Sequence, residues 1–153
     1  MKFVVLLLCV FSVSLTFAQT ALTEAEAKEV IDVFFEGFHK GDTLKMRSVM
    51  AEDMVMQTAS SDAEGNHKIS NGKASDLLLA IANRPETQQW DERLLDYKVQ
   101  IDGNLAHVWT PYEFWFNGQF SHCGANAFTL ARTNAGWKIL HLIDSRRKTD
   151  CGH

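Results

Sequence analysis

Apolar residues recur at helical spacing at Ala27, Val30, Ile31, Phe34 and Phe38, so residues 24–40 carry one apolar face. Thr23-Glu24-Ala25-Glu26 reads as a capping box at the start of this helix, and Gly41 is a stop signal at its end. Asp42 caps a second, short helix that carries Leu44, Met46 and Val49. Residues 53–57 alternate as a short strand, and the polar stretch 59–69 with Gly65-Asn66 reads as a surface loop. A third helix is predicted from Ser70 or Asn71 through Leu77, Leu78, Leu79, Ile81 and Ala82, with Pro85 just beyond it. The remainder reads as strands over 93–101, 105–116, 119–133 and 137–146, with turns at Asp102-Gly103, Asn117-Gly118 and Asn134-Ala135-Gly136. Helices followed by a long meander predict an α+β fold, a curved antiparallel sheet wrapped over three N-terminal helices.

The turns predict a register. If Asn117-Gly118 is a two-residue hairpin turn, Phe116 faces Gln119 and paired numbers sum to 235. Trp115 then opposes Phe120, Glu113 opposes His122, and Trp109 opposes Asn126. Opposed residues have Cβ atoms roughly 5 Å apart, so Glu113 and His122 are expected to hydrogen-bond. Pro111 is the expected place for a bulge. A three-residue loop at 134–136 makes the last hairpin sum to 270, so Phe128 faces Leu142, Leu130 faces Leu140, Asn126 faces Asp144, and Gly124 faces Arg146. Alternation then puts Trp109, Glu113, Trp115, His122, Asn126, Asp144 and Arg146 on one face. Tyr112 and Phe114 fall on the other. His122 and Asp144 lie roughly 13 Å apart along the strands at about 3.3 Å per residue, too far for a direct pair. Which face lines a pocket and which meets a partner subunit stays open at this point.

The chain has 153 residues, 46% hydrophobic and 22% charged, which suits one globular domain. The net charge of −4 and scattered Lys and Arg argue against a nucleic-acid partner. Lys2, the apolar run Phe3 to Phe17 and the small residues before Ala18 read as a signal peptide over residues 1–18, cleaved after Ala18. Removing it would take Lys2 from the 15 basic residues and leave 14 against 19 acidic ones. The expected location is periplasmic or secreted, with no membrane association after cleavage. The remaining domain, 19–153, keeps Cys123 and Cys151. Cys123 faces Arg147 in the predicted register and Cys151 is four residues further on, so a disulfide is expected. The histidines at 39, 67, 107, 122, 141 and 153 show no close ligand spacing, so no metal site is expected. No phosphate loop, nucleophile elbow or Cys-x-x-Cys pair is present, and no cofactor is expected.

Phe38-His-Lys-Gly-Asp42 with Leu44 and Asp53, then Phe128-Thr-Leu-Ala-Arg before Gly136-Trp-Lys-Ile139, resemble the nuclear transport factor 2-like superfamily. Its ketosteroid isomerase-like, scytalone dehydratase-like and polyketide cyclase-like (SnoaL-like) members share this order of elements. Ser121-His-Cys-Gly and Asp144-Ser-Arg-Arg resemble its exported bacterial, lumazine-binding-like branch. The resemblance implies a cone-shaped domain with an apolar pocket between helices and sheet, commonly a homodimer. It implies no single activity, because the fold serves many. Ketosteroid isomerase-like chemistry would need a Tyr on the first helix, where this chain has Phe34, Phe35 and Phe38. His122, Asp144 and Tyr112 would supply part of a scytalone dehydratase-like set.

Three readings follow. In the first, an exported domain binds a small apolar or aromatic molecule, with Trp109, Tyr112 and Trp115 as walls and Asn126, Asp144, Arg146 and His122 as polar anchors. In the second, a cofactor-free dehydratase, isomerase or cyclase uses His122 as general base, oriented by Glu113. In the third, the aromatic face is a dimerisation or protein-interaction surface.

Overall fold

The computed structural model describes residues 23–62 and 64–152. The segment 1–18 expected to be a signal peptide lies outside the described residues. Helix α1 spans Glu24–Lys40. The Thr23 hydroxyl accepts from Glu26 N at 3.2 Å, and the Glu26 carboxylate accepts from Thr23 N at 2.7 Å, so the capping box is complete. Gly41 closes the helix at φ 74°, a left-handed conformation that suits glycine. Helix α2, Thr43–Val49, starts at Asp42, whose side chain accepts from Lys45 N. Helix α3 spans Ala74–Ala82 and begins at Lys73 rather than at Ser70 or Asn71. Those two residues belong to a strand instead.

Seven strands form the sheet: β1 Met50–Ser61, β2 His67–Lys73, β3 Trp90–Leu94, β4 Lys98–Asp102, β5 Leu105–Phe116, β6 Gln119–Thr133 and β7 Gly136–Arg147. The order is β2-β1-β7-β6-β5-β3, with β4 also paired to β5. All pairs are antiparallel except β1–β7, which is parallel. The stretch 59–69 is therefore mostly a hairpin, since Ser61 pairs with His67. Its polar composition belongs to an exposed edge strand, every residue of β2 being exposed. The expected strand 93–101 is two strands, broken at Leu95-Asp96-Tyr97 and starting earlier, at Trp90.

The core lies between α1 and the concave face. Ala27, Ile31, Phe34, Phe35 and Phe38 pack against Val108, Phe128, Leu130 and Ile139. Phe34 and Phe35 each meet the Phe128 ring edge-on at 6.1 Å. At the 117–118 turn, Asn117 and Gly118 both have positive φ, which gives the hairpin its two-residue turn. The turn before β7 is also two residues, with Thr133 facing Gly136. The expected three-residue loop is thus one residue shorter, and Leu130 faces Ile139 rather than Leu140; a shift between Thr129 and Leu130 then restores the expected register, so Asn126 faces Asp144, Gly124 faces Arg146 and Cys123 faces Arg147. Cys123 is bonded to Cys151, with Cα atoms 5.8 Å apart, so the tail is tied back onto β6.

In β6 the register departs from the sum of 235. Trp115 faces Phe120, but Phe114 faces His122, leaving Ser121 as an extra residue. This bulge, and not Pro111, turns the strand. It moves His122 to the same face as Phe114 and opposes Glu113 to Cys123. The expected Glu113–His122 pair therefore does not form.

Gly124 shows how tightly the floor is packed. A Cβ there would lie 1.7 Å from Ser145 O and 3.0 Å from Tyr112 Cε1. Gly124→Ala is expected to lower stability by about 1–3 kcal/mol through overpacking, read by urea denaturation. An unchanged midpoint and slope would show that the two strands have room there.

Candidate functional site

Between α1, α3 and the concave face lies a cavity of about 410 Å³. Its apolar wall is supplied by Phe34, Phe35 and Phe38 from α1, Leu77 from α3, Met56 from β1, and Trp90, Phe114, Phe116 and Leu142 from the sheet. Spacing along α1 explains the first three, since positions 34, 35 and 38 share the helix face turned to the sheet. The polar end is made by Thr58, Glu92, His122, Asn126, Asp144 and Arg146.

Asp144 is the centre of one network. Its Oδ1 accepts from the Thr58 hydroxyl at 2.6 Å, and its Oδ2 accepts from the Tyr112 hydroxyl at 3.1 Å. Arg146 donates to the same Oδ2 from Nε at 3.3 Å and Nη2 at 3.2 Å. Asp144 is buried, whereas Arg146 stands at the cavity rim with its side chain 51% exposed. The parallel β1–β7 pair creates this contact by facing Thr58 to Asp144. Burial, and then the Asp144 and Glu92 charges, raise the Tyr112 hydroxyl far above the usual phenol range, so it is a donor at every ordinary pH. Burial works against the Arg146 charge, but the Asp144 carboxylate outweighs it and the guanidinium is held still more firmly protonated.

Glu92 is the second centre. Its Oε1 accepts from Asn126 Nδ2 at 2.8 Å, while Oε2 has no partner among the described residues. Its backbone N–H donates to His39 Nε2 at 3.0 Å, which ties β3 to the end of α1. The residue is half-buried where it borders the cavity, and the protein packed around its carboxyl desolvates it. This desolvation pushes the Glu92 carboxyl up to about 7, partly offset by the Asn126 hydrogen bond and reinforced by the Asp144 charge.

His122 sits on the cavity floor with its ring stacked on Phe114 at 4.9 Å. Nδ1 lies 3.1 Å from the Ser121 hydroxyl, and Nε2 has no partner among the described residues. Burial first, and then the Arg146 charge, lower His122 to about 4, so the ring is neutral at pH 7. An unprotonated ring of low basicity therefore faces the cavity.

The structure thus gathers His122, Asn126, Asp144 and Arg146 in one cavity, with Tyr112 directly beneath it. Glu113, Trp109 and Trp115 lie on the convex face, because the Ser121 bulge reverses the alternation between them and His122. Glu113 accepts from Trp115 Nε1 at 3.0 Å, Arg93 lies over the Trp115 ring at 4.4 Å, and Trp109 is exposed. Glu92 and Thr58 were not foreseen. Glu92 shares the inward alternation of Trp90 and Leu94, a signal hidden when the strand is started at Arg93. Thr58 lies one residue past the end expected for its strand.

Residues 27–146 match the family model of the SnoaL-like domain. The chain belongs to this family. Solved structures agree on the fold. A nuclear transport factor 2-like protein from Cytophaga hutchinsonii superposes with a TM-score of 0.64 at 8% identity, covering 82% of this chain and 100% of that one. One from Shewanella baltica gives 0.57 at 18% identity, covering 84% and 99%. A Streptomyces avermitilis member of the family, provisionally named a dehydratase, gives 0.61 at 18% identity, covering 80% and 94%. At these identities the likeness concerns the fold alone. No protein with a curated description matches the SnoaL-like domain's sequence significantly.

The raised Glu92 carboxyl has a consequence for stability. With a folded value near 7 and an unfolded one near 4.5, Glu92 favours the fold fully below about pH 4.5, and this contribution is lost as pH rises through about 7. His122, lowered from 6.5 to about 4, acts in the opposite sense, favouring the fold above 6.5 and losing that contribution as pH falls through about 4. The difference between wild type and Glu92→Gln isolates the first effect. Relative to wild type, the variant is expected to gain stability between pH 5 and pH 8 in urea titrations. A difference that does not change with pH would show that Glu92 is not desolvated.

Proposed function

We propose that this SnoaL-like domain is an exported binding domain for a small, flat, mostly apolar molecule. One observation carries the reading: an aromatic cavity of about 410 Å³ ends in a few convergent polar groups, two of which keep an atom without a partner among the described residues. This combination is what ligand sites offer, an apolar body to bury the ligand and a few polar groups to orient it. Export is supported by the apolar start of the sequence and by the Cys123–Cys151 bond, which persists in oxidising compartments. Calorimetric titration with 2-naphthol is expected to show saturable binding by wild type and none by Met56→Trp, which fills the cavity. Equal binding by a folded Met56→Trp protein would place the probe elsewhere and defeat the reading.

A second reading is a cofactor-free acid–base enzyme, and the raised Glu92 carboxyl favours it. A carboxyl near 7 inside an apolar cavity is matched to proton transfer at neutral pH, which His122 at about 4 is not. The general acid–base role then passes from the expected His122–Glu113 pair to Glu92, with Asn126 orienting it. For any substrate found, Glu92→Gln is expected to cut kcat by at least about a hundredfold while His122→Ala keeps most of it. The reverse ranking would return the role to His122.

A further inference from the structure

We propose that the adjoining ends of β2, β1 and β7 form an anion site for the phosphate group of a small soluble molecule, held by Lys68 and Arg147 with the Ser60 and Ser61 hydroxyls between them. The site is a groove separate from the helix-covered cavity, and it does not depend on what that cavity binds.

The groove measures about 710 Å³ and follows from the strand pairing. Ser60 faces Lys68 on β2 and Arg146 on β7, and Ser61 faces His67. Backbones two strands apart are separated by roughly 9–10 Å, so Lys68 and Arg146 flank a gap that holds only a serine. Two long side chains can close on such a gap from both sides. His67 is the first residue of β2 and Arg147 the last of β7, and both border the groove at the strand ends. Arg146 borders the groove and the cavity alike.

Among the described residues that line the groove, Lys68, Arg146 and Arg147 are cations and none is acidic. This runs against a chain whose net charge is −4, so the anion attraction is local. Lys68 Nζ and the Ser60 hydroxyl have no partner among the described residues. Arg147 donates from Nε to Asp150 O at 3.1 Å, and its other nitrogens have no partner among those residues. Arg146 is turned to Asp144, so it adds positive field rather than a free donor. Hydrogen bonds from Asn66 first, and the Lys68 charge last, lower the Asp62 carboxyl, yet no salt bridge joins Asp62 to Lys68 among the described residues. The positive field is felt next door, where Arg146 and Lys148 add to burial in lowering His122. A phosphate monoester matches this set. It carries roughly −1.5 to −2 charge at neutral pH and three acceptor oxygens, enough to meet Lys68, Arg147 and a serine hydroxyl together. A carboxylate brings a single charge and would leave one of the two free cations unmatched. The groove is recessed between strand ends, a shape for a small molecule rather than for a flat membrane surface.

The test titrates glycerol phosphate, and acetate as a singly charged control, into the isotope-labelled, oxidised protein at neutral pH, read by amide chemical shifts. Glycerol phosphate is expected to shift Ser60, Ser61, Lys68 and Arg147 saturably, to leave Phe35, Leu77 and Trp90 of the cavity in place, and to bind at least about tenfold more tightly than acetate. Lys68→Glu and Arg147→Glu, both at exposed positions, should each weaken it at least about tenfold, whereas Lys98→Glu, the same charge change on β4 at a distant part of the sheet, should stay within about twofold. Vesicles of phosphatidylcholine with phosphatidic acid are expected not to co-sediment the protein. No saturable shift, shifts confined to the cavity residues, or acetate binding as tightly as glycerol phosphate would each overturn the proposal. Equal losses in all three variants would reduce the effect to net charge and overturn it as well. Co-sedimentation that Lys68→Glu abolishes would assign the groove to a lipid headgroup and overturn the soluble ligand.

Discussion

In β6 the sheet accommodates one residue more than β5 supplies, and the position of that residue, Ser121, decides which side chains meet. Side chains alternate with a period of two, so a single inserted residue reverses every assignment beyond it. On the turn side of the bulge, Trp115 and Phe120 pack edge-on at 5.7 Å on the convex face. Beyond it, His122 turns to the concave face and stacks on Phe114, while Glu113 stays outside with Trp115. The cavity's polar end depends on this reversal. Without it, His122 would leave Phe114 and join the outer aromatic group.

The cavity combines two solutions to the cost of burying polar groups. Asp144 is satisfied by several donors, drawn from β1, β5 and β7, and by the adjacent positive charge. It holds the three strands together as much as it shapes the cavity. Among the described residues Glu92 is satisfied at one oxygen only, and its environment instead favours the neutral acid. Two carboxyl groups in one cavity therefore have different parts: one is fixed and charged, and the other has an atom to offer. Gly124 makes this possible, because its missing side chain lets the Tyr112 ring lie close to β6 and reach Asp144.

Much of the fold was legible locally. The Thr23 capping box, the apolar stripe from Ala27 to Phe38 and Asn117-Gly118 each encode their geometry within a few residues, and each forms as expected. In the last hairpin the register from Thr129 to Cys123 was readable, hence the Cys123–Cys151 bond, whereas the shorter turn and the shift at Leu130 were not. What was not legible is non-local. Hairpin counting has no means of seeing a bulge at Ser121, whose neighbours Phe120 and His122 are both compatible with either face. The parallel pairing of β1 with β7 joins residues more than 80 positions apart and makes Thr58 a partner of Asp144. Glu92 escaped because β3 is short and its inward pattern needs Trp90 to be recognised as its start. His122, Asn126, Asp144 and Arg146 were correctly grouped, but Trp109, Trp115 and Glu113 were grouped with them by an alternation that the bulge breaks.

The placement of His122 is the point on which cavity and outer face divide, and nuclear Overhauser contacts from its ring protons report it directly. In the isotope-labelled, oxidised domain, strong contacts from His122 to the Phe114 and Tyr112 rings are predicted, with none to Glu113 or Phe120 side chains. Contacts to Glu113 in place of Phe114 would contradict the bulge, restore the uninterrupted hairpin register and remove His122 from the cavity.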